Sequence, residues 1–197
     1  MNKALTIAVL LTAGTLRTYA IDNNPDTFYV YADKGSPFNH YIPSGYMGDY
    51  GDIKIDDRDT ADPADGKTDI KIVYNAKSAQ GANWAGVYWQ SPANNWGDKD
   101  GGYKLSKYTK LTFWARGTTG KEKIATVKVG GITGTFSDSD SREMDKALEL
   151  TPDWKRYTIE LKGADLRKII GGFCLSWSRD DNPDGFTIYL DEIRFEK

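Results

Sequence analysis

Cysteine, histidine and helical periodicity are all scarce in this chain. Cys174 is the only cysteine among 197 residues. No disulfide can form within the chain, so its stability must come from packing and from any bound ion. His40 is the only histidine, and it lies in a Pro- and Gly-containing stretch where it reads as polar surface. No His-rich metal motif is therefore present, and Cys174 has no evident His partner to activate a thiol nucleophile. The Gly-x-Ser-x-Gly turn of a serine hydrolase is also missing. Positive charge is not in excess: the formal net charge is −2. Lys3 and Arg17 fall in the first twenty residues, which hold no acid, so residues 21–197 carry −4. That balance argues against a nucleic-acid partner, which requires a basic face.

Long hydrophobic runs are equally few. Residues 4–14 form the one apolar run, well short of the roughly twenty residues that span a bilayer. Lys3 precedes it, and the small residues Thr18 and Ala20 follow at the spacing of a signal-peptidase site. Residues 1–20 accordingly read as a signal peptide. No cysteine follows the run as a lipid attachment point. The remaining residues, 21–197, are expected to form a single exported domain, secreted or periplasmic, with no membrane span.

Short strands fill that domain. Segments 28–32, 52–55, 69–74, 86–90, 110–116, 124–129, 157–161, 172–178 and 186–195 mostly alternate apolar and polar residues, the period of half-buried strands. Gly, Pro, Asn and Asp separate them. Nine such segments predict an all-β sandwich or barrel, with one antiparallel sandwich the economical choice. Residues 163–170 are expected to form one or two helical turns, and 142–150 is a weaker helical candidate. Residues 22–45, broken by Pro25, Pro37 and Pro43, read as an edge strand with a long surface connection. In the last strand Phe186, Ile188 and Leu190 share one parity while Ile193 and Phe195 take the other. One face cannot bury both sets without a bulge near Asp191 and Glu192.

Aromatic residues are abundant, with six Trp and twelve Tyr. They concentrate around residues 84–103, where Trp84, Tyr88, Trp89, Trp96 and Tyr103 stand beside Gln90, Asn94 and Asn95. Flat rings beside amides suit a sugar: the ring covers the C–H face and the amides bind hydroxyls. In 84–90, Val87 and Trp89 look core-facing, which leaves Trp84 and Tyr88 outward. In 110–116, Leu111, Phe113 and Ala115 point to the core, which puts Thr112, Trp114 and Arg116 on the opposite face. Trp177 shares parity with Phe173 and Leu175 and reads as core.

Residues 49–69 hold eight aspartates. They read either as a solvated acidic turn or as oxygen ligands for calcium. In the second case Asp57 and Asp59 would join Asp191, whose bulge exposes backbone carbonyls. The ion would then clamp the two ends of the chain. The Ser-Asp-Ser-Asp-Ser run at 137–141 is a second, weaker candidate for calcium and reads more readily as a plain polar loop.

Four segments occur in a familiar order: Leu-Thr-Phe-Trp-Ala-Arg-Gly at 111–117, Trp-Lys-Arg-Tyr-Thr-Ile-Glu-Leu at 154–161, Gly-Gly-Phe at 171–173 and Ile-Tyr-Leu-Asp-Glu-Ile at 188–193. This pattern, spanning about residues 50–197, resembles the galactose-binding-like jelly rolls found among carbohydrate-binding modules. The resemblance implies an antiparallel β-sandwich of jelly-roll topology. It also implies sugars bound in a concave groove or at loop tips, and a structural calcium near the last strand, at Asp191. Trp114 and Arg116 would line the groove.

The expected function is non-catalytic recognition of a polysaccharide, a β-glucan, xylan or similar. Trp84, Tyr88, Trp96 and Trp114 would stack on sugar rings, with Gln90, Asn95 and Arg116 binding hydroxyls. Such a protein could serve a larger glycan-degrading complex. The alternatives are an exported protein-interaction module and, behind it, a glycan-active hydrolase or lyase, which would need an organised carboxylate pair.

Overall fold

A computed structural model describes residues 25–197; the expected signal peptide, residues 1–20, lies outside the described residues. Thirteen strands are described: β1 (Thr27–Tyr31), β2 (Ile42–Gly48), β3 (Ile53–Asp59), β4 (Asp69–Tyr74), β5 (Trp84–Gln90), β6 (Lys110–Gly117), β7 (Lys123–Ile124), β8 (Thr126–Gly130), β9 (Ser141–Glu143), β10 (Leu148–Glu149), β11 (Lys155–Glu160), β12 (Gly171–Ser178) and β13 (Phe186–Glu196). They form two main antiparallel sheets. The first runs β11-β6-β13-β4-β3, with β1 also paired to β13; the second runs β2-β5-β12-β8-β9. A short β10-β7 pair stands apart.

Alternation decides which side chains lie between the sheets. Leu111, Phe113 and Ala115 of β6 join Ala85, Val87 and Trp89 of β5 and Phe173, Leu175 and Trp177 of β12 in one buried cluster. Phe113 of the first sheet meets Phe173 of the second, ring centroids 5.1 Å apart. Each large apolar side chain buried this way contributes about 1.5–3 kcal/mol. Trp177 is only 1% exposed, the core position its parity predicts.

β13 carries the expected phase slip. Its register against β6 shifts between Asp191 and Arg194, and Glu192 adopts φ +47°. The slip falls where the edge partner of β13 changes: residues 186–190 pair with β4, and 193–196 pair with β1. Two partners along one edge need two registers, and the bulge supplies the change.

Two expectations about helices are corrected. Among the described residues the only helical element is a 3-10 turn at Tyr50–Asp52. Residues 163–170 are largely irregular after a turn at 162–163, and Ile169 makes an isolated bridge with Tyr103. Its carbonyl also accepts the Tyr41 hydroxyl, so the segment's polar groups are satisfied across the fold rather than within a helix. Residues 142–150 contribute to β9 and β10, drawn out by pairing with β8 and β7. The proline-broken stretch includes β2, an edge strand whose register shifts between Pro43 and Gly45, as a proline in a strand requires.

Candidate functional site

Residues of β5 opposite its core side chains build the outer face of the second sheet. Tyr88 stands between Gly45 of β2 and Cys174 of β12; the row continues to Lys128 of β8 and Glu143 of β9. The next row places Gly86 between Met47 and Ser176, with Thr126 beyond. Trp84 opposes Ser178 at the end of the strand. Tyr88, Cys174, Ile132 and Ile170 pack with Met47 and Phe136 in a cluster separate from the core. Row two is low at Gly86, Ser176 and Thr126, whose side chains are small. A Cβ at Gly86 would lie 2.8 Å from the Leu175 carbonyl oxygen and 2.9 Å from Met47 Cε. Only glycine fits there.

Two tryptophans stand above this floor. Trp84 is 42% exposed and Trp96 is 44% exposed. Trp96 meets Tyr88 edge-to-face, centroids 5.9 Å apart at 86°. The Tyr88 ring is itself buried, with its hydroxyl donating to the Gly130 carbonyl at 3.1 Å, and Lys128 Nζ lies 5.3 Å from its centroid. Burial drives the Tyr88 phenol far above its usual range and pushes the Cys174 thiol up to about 12. Neither group ionises near neutrality, so this face is an uncharged aromatic surface with Lys128 and Glu143 at one side.

Gln90 and Asn95, expected to bind sugar hydroxyls, are fully buried. Gln90 Nε2 donates to the Asn95 carbonyl at 2.9 Å, and its Oε1 accepts the Ser44 hydroxyl at 2.9 Å. Asn95 Nδ2 donates to the Lys99 carbonyl at 2.9 Å, while its Oδ1 accepts from the Gly97 and Lys99 amides. Their amide groups are satisfied inside the protein. What they do is hold the 91–99 loop, and so Trp96, against the sheet.

Trp114 and Arg116 do not join this face. They lie on the outer side of the first sheet, across the sandwich from Trp84 and Tyr88, because β6 and β5 belong to different sheets. The expectation of one groove holding all seven residues is therefore corrected. The Arg116 guanidinium sits 3.9 Å from the Tyr189 ring centroid and 5.1 Å from that of Trp154, with Asp62 at 3.7 Å. Trp154 Nε1 donates to the Asp62 carbonyl at 2.8 Å. These contacts fasten the acidic loop over the first sheet.

Beneath that loop lie two buried carboxylates. Asp191 Oδ2 accepts the Asp65 amide at 3.0 Å and Oδ1 accepts the Glu192 amide at 2.8 Å. Asp69 is buried with neither oxygen hydrogen-bonded. Burial raises Asp191 to about 8, opposed by its two amide donors and reinforced by Glu192 and Asp69. Burial also raises Asp69 to about 7, with Asp59 adding and Arg116 opposing. Orphaned buried oxygens beside a second buried acid fit a cation. The set first expected does not converge: among the described residues no three Asp, Glu, His or Cys side chains are grouped to hold a metal. Asp57 is taken up by Lys34, and Asp59 Oδ1 accepts the Ala61 amide.

The sequence reading missed several residues. Asp138, in the supposed plain loop, accepts amides from Ile132, Ile170 and Gly171 and pins the 130–141 loop beside Tyr88. Thr126, Lys128 and Ser176 share the polar parity of their strands, a signal that was available; which sheet they joined was not.

No family model matches the sequence, and no curated protein matches it. Solved structures do. A family 30 carbohydrate-binding module matches with a TM-score of 0.56 at 15% identity, covering 86% of this chain and 87% of that one. A second family 30 structure matches with the same score at 16% identity, covering 87% and 98%. The family 30 module of a cellulosomal cellulase of Clostridium thermocellum matches at 0.56 and 15%, covering 87% and 97%. The chain has the jelly-roll β-sandwich fold of these carbohydrate-binding modules. Identity this low establishes the jelly roll and leaves the ligand to the side chains of this chain. Among the described residues no helix is long and apolar enough to cross a membrane.

Proposed function

We propose that this protein binds a polysaccharide without cleaving it, on the outer face of the second sheet. The observation that carries the reading is the pair of exposed tryptophans, Trp84 and Trp96, flanking Tyr88 above a floor of Gly86, Ser176 and Thr126. Trp84 and Trp96 are the platforms; Tyr88, expected to stack on a sugar, is only 3% exposed and instead supports Trp96 edge-to-face from beneath. Stacked platforms on a low floor suit the flat ribbon of a β-glucan or xylan chain. A structural calcium is the second part of the reading: Asp69 and Asp191 would be its two carboxylate ligands, and it would neutralise two acids that burial disfavours.

The test is a glycan-array and polysaccharide-retardation screen with wild type and the Trp84→Ala and Trp96→Ala variants. Weak grooves with Kd near 10 μM to 1 mM correspond to roughly −7 to −4 kcal/mol. Losing a stacking platform of about 2 kcal/mol would weaken binding about thirtyfold while the variants keep their melting temperature. Wild-type silence across the array overturns the reading, and so does release of new reducing ends. The protein-interaction alternative has one observation in its favour: Ile42, Tyr46 and Tyr50 are exposed on and just after edge strand β2. Array silence together with a captured protein would move it first.

A further inference from the structure

A cavity of about 430 Å³ opens well away from the Trp84 face, between the β1–β2 connection, the loop before β4 and the β13 bulge. Its volume falls at the small end of the range for small-molecule sites. The walls are fixed by the protein's own bonds. Asp33 Oδ1 accepts the amides of Lys67 and Thr68 at 2.7 and 2.8 Å, tying the two loops together. Arg194 donates to the Tyr29 hydroxyl at 3.1 Å, to Glu192 at 2.6 Å and to Glu196 at 2.7 Å. The left-handed conformation at Glu192 brings that side chain into the lining, against the preference of a non-glycine residue.

The lining mixes rings with a balanced charge set. Tyr29 and Phe38 supply aromatic surface. Around them stand three acids, Asp33, Asp65 and Glu192, and three bases, Lys34, Lys67 and Arg194. A ligand with net charge gains nothing overall from such a set. Hydroxyl groups, which both donate and accept, can pair with either kind of group, while Lys34 already engages Asp57 and Arg194 engages Glu192 and Glu196. The cavity is compact where the Trp84 face is open, so it takes an end of a chain rather than its middle.

We infer that this cavity is a second carbohydrate site, one that takes a neutral terminal sugar or disaccharide with a ring face against Phe38. The inference rests on the carbohydrate-binding reading above and adds a site which that reading does not use.

The experiment is an amide-resonance titration of the full domain with neutral disaccharides: cellobiose, xylobiose, mannobiose and galactobiose. At least one is expected to shift resonances of residues 32–38, 65–68 and 192–194. Those shifts should persist in a Trp84→Ala/Trp96→Ala double variant. They should need at least tenfold more sugar in Phe38→Ala and in Ser36→Trp, which fills the cavity; spectra of the unliganded variants report that each is folded. Moderate salt should leave the response unchanged. No shift in these segments with any of the four overturns the inference even where wild type binds polysaccharide. So does a response confined to glucuronic acid. Cavity shifts in a wild type that binds no polysaccharide would instead count against the Trp84 face alone.

Discussion

Trp84, Trp96 and Trp114 all answer the same description in the sequence: a large ring at an outward strand or turn position. Structure separates them by sheet. Trp114→Ala is therefore expected to leave polysaccharide affinity within twofold of wild type, because its ring lies across the sandwich from the proposed face. Asn95→Ala should behave in the opposite way. Asn95 touches no outer surface, yet its side chain makes three hydrogen bonds within the turn that carries Trp96. Each lost bond removes roughly 1 kcal/mol, so the turn loosens and the Trp96 platform with it. Retardation on polysaccharide gels and thermal melts of both variants check the pair. Equal loss in Trp114→Ala and Trp96→Ala would sink the separation by face. Parity alone predicted which side of each strand a ring takes. It could not say which sheet the strand joins, since that depends on pairings such as Tyr88 with Cys174, 86 positions apart.

At the scale of elements, the turn between β6 and β7 shows how a short polar stretch is held without a core. Glu122 is buried. Burial would raise its pKa, but donors from the turn outweigh that and hold it at about 2. The Thr118 and Thr119 amides and hydroxyls reach Oε1, and the Gly120 and Lys121 amides reach Oε2. A carboxyl with a folded pKa below its unfolded value near 4.5 binds fewer protons when folded. Its stabilisation is complete above pH 4.5 and is lost as pH falls towards 2. Glu122→Gln should then cost on the order of 2 kcal/mol at pH 7. Wild type and variant should converge as pH drops through that window, read by urea unfolding at a series of pH values. A gap that stays constant with pH would mean the side chain acts by shape and not by charge. The β13 bulge was legible because two hydrophobic parities met within one strand. β9 and β10 were not, since two- and three-residue strands carry too little alternation to outweigh a helical reading.

The first and last described strands meet in the first sheet, where β13 lies between β6 on one side and β4 followed by β1 on the other. The acidic loop covers that sheet, and under it Asp69 lacks any hydrogen bond while Asp191 accepts two amides. With no disulfide available, an ion here would be the one cross-link joining the β3–β4 loop to the last strand. Its effect on stability follows from mass action: calcium at a hundredfold excess over its Kd adds about 2.7 kcal/mol, roughly 5–10 °C for a domain of this size. Chelation should lower the melting temperature by that amount, and added calcium should restore it. Asp69→Asn should abolish the difference, because the amide removes one of the two charges facing the ion. Asp57→Asn should leave it intact, since Asp57 is engaged by Lys34 and Arg58. The sequence singled out the acidic stretch and Asp191, but Asp69 was hidden among eight similar residues. Burial distinguishes it, and burial is set by where the loop comes to rest. Identical melts with calcium and with chelator, in protein shown by elemental analysis to be loaded and then stripped, would leave the two acids sharing protons instead of a metal.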